Sequence, residues 1–143
     1  MTRRFAQRFH FPHQMKLKMT QKLNNMFGTE QDVFLESMAE ADKAVVDYMG
    51  KENIVYINVA NKLSVDCDCD SHPKDPEMGD IGILASTDPV ALDKACVDMV
   101  YASDDPGKKA LIERMESRHG IHTVEAAEAL GVGTTAYTVI KID

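Results

Sequence analysis

The strongest periodic pattern of apolar residues lies between positions 29 and 50. Apolar side chains recur there at every third or fourth position, which places them on one side of an α-helix. Thr29 can cap the N-terminus of this helix, and Gly50 can end it. The pattern predicts a buried face made of five residues: Phe34, Met38, Ala41, Val45 and Tyr48.

Three short segments have the composition of β-strands. Residues 53–59 are β-branched, aromatic and almost continuously apolar, as in a buried strand. Residues 81–86 form a second apolar segment, and residues 136–142 close the chain with a third. We therefore predict a small sheet of about three strands.

Three further helices are predicted after the second strand segment. Asp88 followed by Pro89 marks the start of the first, since aspartate caps helices and proline fits the first helical turn. Apolar spacing then predicts helices at residues 108–118 and 123–130. This order of elements predicts an α/β fold in which helices cover the small sheet. Because three strands are few for 143 residues, we expect a second subunit to complete the sheet, or the chain to be part of a larger fold.

The N-terminal segment differs from the rest of the chain in charge. The first 30 residues contain six Lys or Arg and one Glu, a balance of +5, whereas the remainder contains ten Lys or Arg and 22 Asp or Glu, a balance of −12. Four apolar residues recur there at every fourth position and predict a short helix: Met15, Met19, Leu23 and Phe27. We predict a basic arm at residues 1–28 and a single α/β domain at residues 29–143. The arm packs on its own domain or on a neighbouring subunit, or it is a membrane-surface helix or a transit peptide.

Composition and charge exclude several classes of protein. The 44% apolar and 27% charged residues are typical of a globular protein in water. No apolar segment approaches the roughly 20 residues of a membrane-spanning helix, and no apolar core of a secretion signal is recognisable. The acidic body lacks the basic face that nucleic-acid phosphates require, so we expect no nucleic-acid partner. Three cysteines, an odd number, favour a reducing compartment, and we expect a cytoplasmic protein.

Residues 66–72 concentrate the reactive side chains of the chain. Their sequence is Asp66-Cys67-Asp68-Cys69-Asp70-Ser71-His72. So many like charges in one segment destabilise a fold unless a cation or water compensates them. In an extended segment side chains alternate, so both thiols of the Cys-x-Cys pair lie on one side. Thiolates are soft donors that suit zinc or iron. The predicted metal ligands are Asp66, Cys67, Asp68, Cys69 and His72.

Other interpretations of residues 66–72 are open. A four-coordinate metal site needs further ligands, and the candidates elsewhere in the chain are Cys96, His119 and His122. A calcium-binding loop fits the aspartate spacing but not Ser71, which stands where such loops need glycine. The segment can instead be a turn whose aspartates accept backbone N–H groups and whose cysteines are buried. Either cysteine of the segment can also be a redox thiol or a nucleophile, although neighbouring carboxylates suppress thiolate formation.

Three segments of the chain resemble one protein family. They read DCDC at residues 66–69, DIGILASTDPVALDKA at residues 80–95 and EAAEALGVG at residues 125–133. In this order and spacing they resemble the bacterial and archaeal family known as domain of unknown function 362, often described as iron–sulfur-centre or ferredoxin-like proteins. The resemblance covers residues 31–140, corresponds to the C-terminal part of longer members, and leaves residues 1–30 outside it.

The resemblance implies an α/β fold, a site at the DCDC segment and a redox protein as a partner. It implies no iron–sulfur cluster here, because the chain has no Cys-x-x-Cys-x-x-Cys run and therefore no intact 4Fe–4S motif. The sequence assigns no reaction. We expect a domain that binds a metal ion or a polar ligand at the DCDC segment. The alternative is a non-enzymatic module that forms homodimers and derives from a larger redox protein.

Overall fold

A computed structural model describes residues 30–66 and 70–142. The chain divides after Glu30 into two units, and the elements described below belong to the second unit, Gln31–Asp143. Within the described residues this unit contains four α-helices and a two-stranded antiparallel sheet. The predicted α/β class with a small sheet is therefore confirmed. The helix predicted between Met15 and Phe27 lies outside the described residues.

The helices and strands follow one another along the chain with short connections, except between the two strands. The helices are α1 (Gln31–Met49), α2 (Pro89–Ala102), α3 (Lys108–Ser117) and α4 (Ile121–Ala129), and the strands are β1 (Tyr56–Ala60) and β2 (Gly82–Ser86). Local sequence explains two of the boundaries. Asp88 caps α2 by accepting a hydrogen bond from the Ala91 N–H at 3.0 Å, as predicted. Gly50 ends α1 in a left-handed conformation with φ of 81°, which glycine adopts without steric cost.

The buried face of α1 differs from the prediction. Leu35, Ala39 and Val46 are buried, whereas Met38, Val45 and Tyr48 are 50%, 57% and 65% exposed. Both sets of residues satisfy helical spacing, so periodicity alone cannot choose between two neighbouring faces. The packing partner decides: α1 packs along α4, and the small side chain of Ala39 faces the contact. The predicted stripe is therefore wrong by one position.

The hydrophobic core lies where α1, α4 and the start of α2 meet. Its members are small or β-branched residues, which allow the helices to approach closely. They are Ala39, Val46, Val90, Val124, Ala127 and Val132. The helix α2 connects this core to the rest of the unit, because it also packs against both strands and against α3.

The sheet presents one face to α2 and the other to solvent. In the antiparallel pairing of β1 and β2, Val59 lies opposite Ile83 and Ile57 opposite Ala85. These residues point away from α2, and Ile57, Val59 and Ile83 are 62%, 55% and 72% exposed. A row of β-branched side chains on a sheet usually packs against a second layer. Within the described residues this layer is absent from the outer face of the sheet, which is defined here by these four residues.

The third predicted strand is not formed. Residues 136–142 belong to no helix or strand in the structure. Their side chains are exposed, Ile140 to 82%, and Tyr137 ties the segment to α2 through a hydrogen bond from its hydroxyl to Asp98 Oδ2 at 2.8 Å. The composition of the segment favours a strand, but a strand also needs a paired edge. None of the described helices has the length and hydropathy needed to cross a membrane.

Two neighbouring valines test which face of α1 is buried. We expect Val46→Ala to lower the free energy of unfolding by about 2 kcal/mol, because it removes buried methyl groups and leaves a cavity. The control Val45→Ala changes an exposed residue to a better helix former and should raise stability by up to about 0.5 kcal/mol. Urea unfolding followed by circular dichroism measures both. The reverse order of effects would show that the originally predicted stripe is the buried one.

Candidate functional site

The predicted site lies in the long connection between the two strands. We call residues 61–81 the cysteine loop. Its two ends are held together next to the sheet: Asp80 Oδ1 accepts a hydrogen bond from the Lys62 N–H at 2.8 Å, and the Ile81 N–H donates to the Ala60 carbonyl at 2.8 Å. The loop is therefore an insertion in a β-hairpin with a closed base.

A second closure occurs inside the cysteine loop. The backbone N–H of Lys74 donates a hydrogen bond to Asp66 Oδ2 at 3.1 Å. The backbone carbonyl of Lys74 accepts a hydrogen bond from the Ser64 hydroxyl at 2.9 Å. The Asp66 N–H in turn donates to Ser64 Oγ at 3.2 Å. These bonds place residues 64–66 beside residue 74. The segment that carries the predicted ligands thus begins and ends at one place.

Asp66 is the best anchored of the predicted ligands that the structure describes. Its side chain is 17% exposed, and its Oδ1 atom accepts a hydrogen bond from Arg114 Nη2 at 3.1 Å. Arg114 lies in the last turn of α3, where a cation also interacts favourably with the helix dipole. The charge of Asp66 is therefore compensated by a residue 48 positions away in the sequence.

The remaining predicted ligands are only partly described. Cys67, Asp68 and Cys69 lie outside the described residues. Asp70 accepts the N–H of His72 at 2.9 Å, and the Ser71 hydroxyl and His72 Nδ1 are 2.9 Å apart. Asp70 and Asp66 thus accept backbone N–H groups, as the turn interpretation predicts. No three histidine, cysteine or acidic side chains of the described residues are arranged to hold a metal ion. Because three predicted ligands are not among them, the ligand set stays a prediction.

A second contact holds the end of the cysteine loop. Asp105, in the turn before α3, accepts the N–H of Gly79 at 2.9 Å and that of Gly107 at 2.8 Å. These two N–H groups stabilise the carboxylate and hold the pKa of Asp105 below its usual value, with the larger effect from Gly79. Gly107 has no room for a side chain, since a Cβ atom there would lie 1.9 Å from the Glu77 carbonyl oxygen. Met78, between these contacts, is 5% exposed.

The further ligands considered from the sequence contact side chains of α1 and β1. His119 Nδ1 lies 2.8 Å from Asp32 Oδ1, and His122 Nε2 lies 3.2 Å from Glu36 Oε1, so both histidines connect α4 and its preceding turn to α1. They line a cavity of about 500 Å³. Cys96 is half-buried and lies 3.5 Å from the amide nitrogen of Asn58. These three residues therefore connect separate elements of the fold.

A polar cluster on the covered face of the sheet includes Asn58, Asp42 and Tyr56, which no sequence motif indicates. The amide of Asn58 donates to Asp93 Oδ1 at 2.8 Å. The pKa of Asp42 in α1 is raised, mainly because the carboxyl group is partly buried and secondly because of the negative charge of Asp93. The pKa of Tyr56 is also raised, mainly by burial and secondly by the negative charges of Asp42 and Asp88. Asp42 continues the Leu35–Ala39–Val46 face, so the correct helix face would have revealed it.

Arg114 and Asp105 were also missed. The acceptor role of Asp105 has no local signal in the sequence, because Gly79 is 26 positions away. Arg114 is one of several cations in its part of the sequence. Its partner could be identified only from the three-dimensional contact.

The pKa of Asp105 gives a pH-dependent prediction. Asp105→Asn replaces one acceptor oxygen by an N–H donor that faces a backbone donor, so we expect lower stability at neutral pH. Because the folded-state pKa is depressed, the carboxylate contributes fully above its ordinary pKa of 3.8 and loses this contribution as the pH falls through the folded-state value. Urea midpoints of the two proteins should therefore converge in acid. Asp104→Asn, in the same turn and exposed, is the control; a difference for Asp105→Asn that persists in acid would contradict the assignment.

The chain matches the model of a family described as a domain of unknown function (DUF362) over residues 3–98. Neither the curated proteins nor the solved structures gave a match. The expected family is confirmed, but its expected limits are wrong: the match includes most of residues 1–30 and ends before the last two helices. The description of this family does not mention iron–sulfur centres, so the expected relation to iron–sulfur proteins stays a prediction. The match spans more than half of the sequence, and the chain belongs to the DUF362 family.

Proposed function

We propose that this domain binds a metal ion at the cysteine loop, with zinc or iron as the ion. The ligands would come from Asp66, Cys67, Asp68, Cys69 and His72. The observation that supports this most is the closure of the loop at Asp66 and Lys74. It gives a donor-rich segment fixed ends, and fixed ends lower the entropy lost when several side chains converge on one ion.

Charge supports the same proposal. Of the two loop carboxylates described between residues 66 and 72, Asp66 has a cationic partner in Arg114, whereas Asp70 accepts a hydrogen bond from a backbone N–H. The unit that carries the loop has a balance of −12. A divalent cation at the loop would therefore be favoured by the local and the overall electrostatic field.

The chemistry of the donors favours a soft or borderline ion. Two thiolates with an imidazole or a carboxylate suit zinc and iron and are unusual for calcium or magnesium. A polar ligand that binds the same side chains is the other form of this proposal. In either form we place the protein in the cytoplasm, where thiols remain reduced.

Metal analysis of the full-length chain, purified without chelator, tests the proposal. We expect about one zinc or iron per chain in the unmodified protein, since a single set of ligands binds one ion. Cys67→Ser/Cys69→Ser should reduce the metal content to near zero because it removes both thiolates. The control is Cys96→Ser, which removes the half-buried thiol outside the cysteine loop and should leave the metal content unchanged.

Two results would contradict the metal proposal. Equal, near-zero metal in all three proteins would remove it altogether. Metal that is retained in the double variant but lost in Cys96→Ser would place the site elsewhere in the chain.

We propose as a second candidate a non-enzymatic module, derived from a larger redox protein, that associates with a copy of itself through the outer face of the sheet. The exposed apolar row supports this: Ile57, Val59 and Ile83 are all more than half exposed. Exposed β-branched residues on a two-stranded sheet are typical of a surface that is covered in the assembled state.

Sedimentation velocity tests the second candidate. We expect a dimer for the full-length chain and for a chain that begins at Gly28, and a monomer for Ile57→Ser/Ile83→Ser because the substitutions remove the apolar contact. Ile140→Ser, which changes a still more exposed isoleucine outside the sheet, is the control and should remain a dimer. A monomeric full-length chain would contradict the candidate.

A further inference from the structure

Both oxygens of the Asp66 carboxylate are engaged by groups of the protein. Oδ1 accepts from the Arg114 guanidinium at 3.1 Å, and Oδ2 accepts from the Lys74 N–H at 3.1 Å. The Asp66 side chain is 17% exposed, whereas that of Arg114 is 43% exposed. A metal ion at Asp66 would have to displace the guanidinium or share the carboxylate with it. We call Asp66 an anchor, because both of its carboxylate oxygens hold other parts of the protein in place.

The anchor acts at the point where the cysteine loop meets α3. Asp66 closes the donor-rich segment by its bond to Lys74, and Arg114 fixes that closure to a helix. The turn before α3 holds the other end of the loop, through Asp105 and the Gly79 N–H. Two separated contacts with one short region, residues 105–114, therefore determine where the loop lies.

We infer that Arg114 is the positioning residue of the cysteine loop and that Asp66 is its partner and not a metal ligand. This inference rests on the proposed metal-binding function and refines it, since it reduces the ligand set to Cys67, Asp68, Cys69 and His72. Arg114 suits this role better than a lysine, because the planar guanidinium holds a carboxylate in a fixed direction.

Alkylation of the loop thiols tests the anchor without any metal. The full-length chain with Cys96→Ser carries thiols only at Cys67 and Cys69, and iodoacetamide labelling in the presence of a chelator gives their rate. We expect D66N, R114Q and the double variant each to raise the rate by about threefold, the size of effect of one partly exposed ion pair. The double variant should equal the single ones, because both remove the same contact. R114K should restore part of the slow rate.

The signs of these effects separate anchoring from a plain charge effect. Removing the negative Asp66 favours the thiolate, whereas removing the positive Arg114 disfavours it, so charge alone would change the labelling rate in opposite directions. Anchoring changes it in the same direction. K109Q, which removes an exposed cation elsewhere on α3, is the matched control and should leave the rate unchanged. Opposite or additive effects of D66N and R114Q would overturn the inference.

Zinc affinity then tests the reduced ligand set. With Asp66 as an anchor, D66N and R114Q should weaken zinc binding equally, by about threefold. With Asp66 as a ligand, D66N should weaken zinc binding and R114Q should strengthen it, because Arg114 would compete with the ion for the carboxylate; these opposite signs would overturn the inference. If the unmodified chain binds no metal, the proposed function fails, and the labelling rates still decide whether Arg114 positions the loop.

Discussion

The structure depends on the compensation of negative charge between β1 and β2. In a loop rich in carboxylates beside an acidic body, each charge is either hydrated or compensated by a donor or a cation. In the described part of the cysteine loop, backbone N–H groups bind Asp66, Asp70 and Asp80, and the guanidinium of Arg114 binds Asp66. These contacts attach the loop to α3, so its position follows from the packing of α3 against α2.

The same helix α2 connects the loop to the hydrophobic core. It packs on the sheet from which the loop emerges, on α3 and on α4, and its first residues belong to the core shared with α1. The histidine–carboxylate pairs His119–Asp32 and His122–Glu36 join α4 and its preceding turn to α1. The helical body thus provides a fixed support for one face of the sheet, while the outer face has no cover within the described residues. That asymmetry is the physical basis of the self-association candidate.

Features that depend on neighbouring residues were predictable from the sequence. The extent of α1, the start of α2 at Asp88 and Pro89, and the strand at residues 82–86 follow from caps and composition over a few positions. The buried face of α1 was not predictable, because Val45 and Val46 both fit a helical stripe and only the contact with α4 distinguishes them. Residues 136–142 have strand composition but no paired edge. The candidate site was found by its density of donors, whereas its anchor Arg114 lies 48 positions from Asp66 and has no sequence signal.

Anomalous X-ray diffraction at the zinc absorption edge, from crystals of the full-length chain grown with zinc, tests the central claim most directly. The account predicts one peak within about 2.3 Å of the sulfur atoms of Cys67 and Cys69, with Asp66 still bound to Arg114. A cysteine loop without a peak would contradict metal binding. A peak bonded to Asp66, with Arg114 displaced, would contradict the charge compensation from which the account starts.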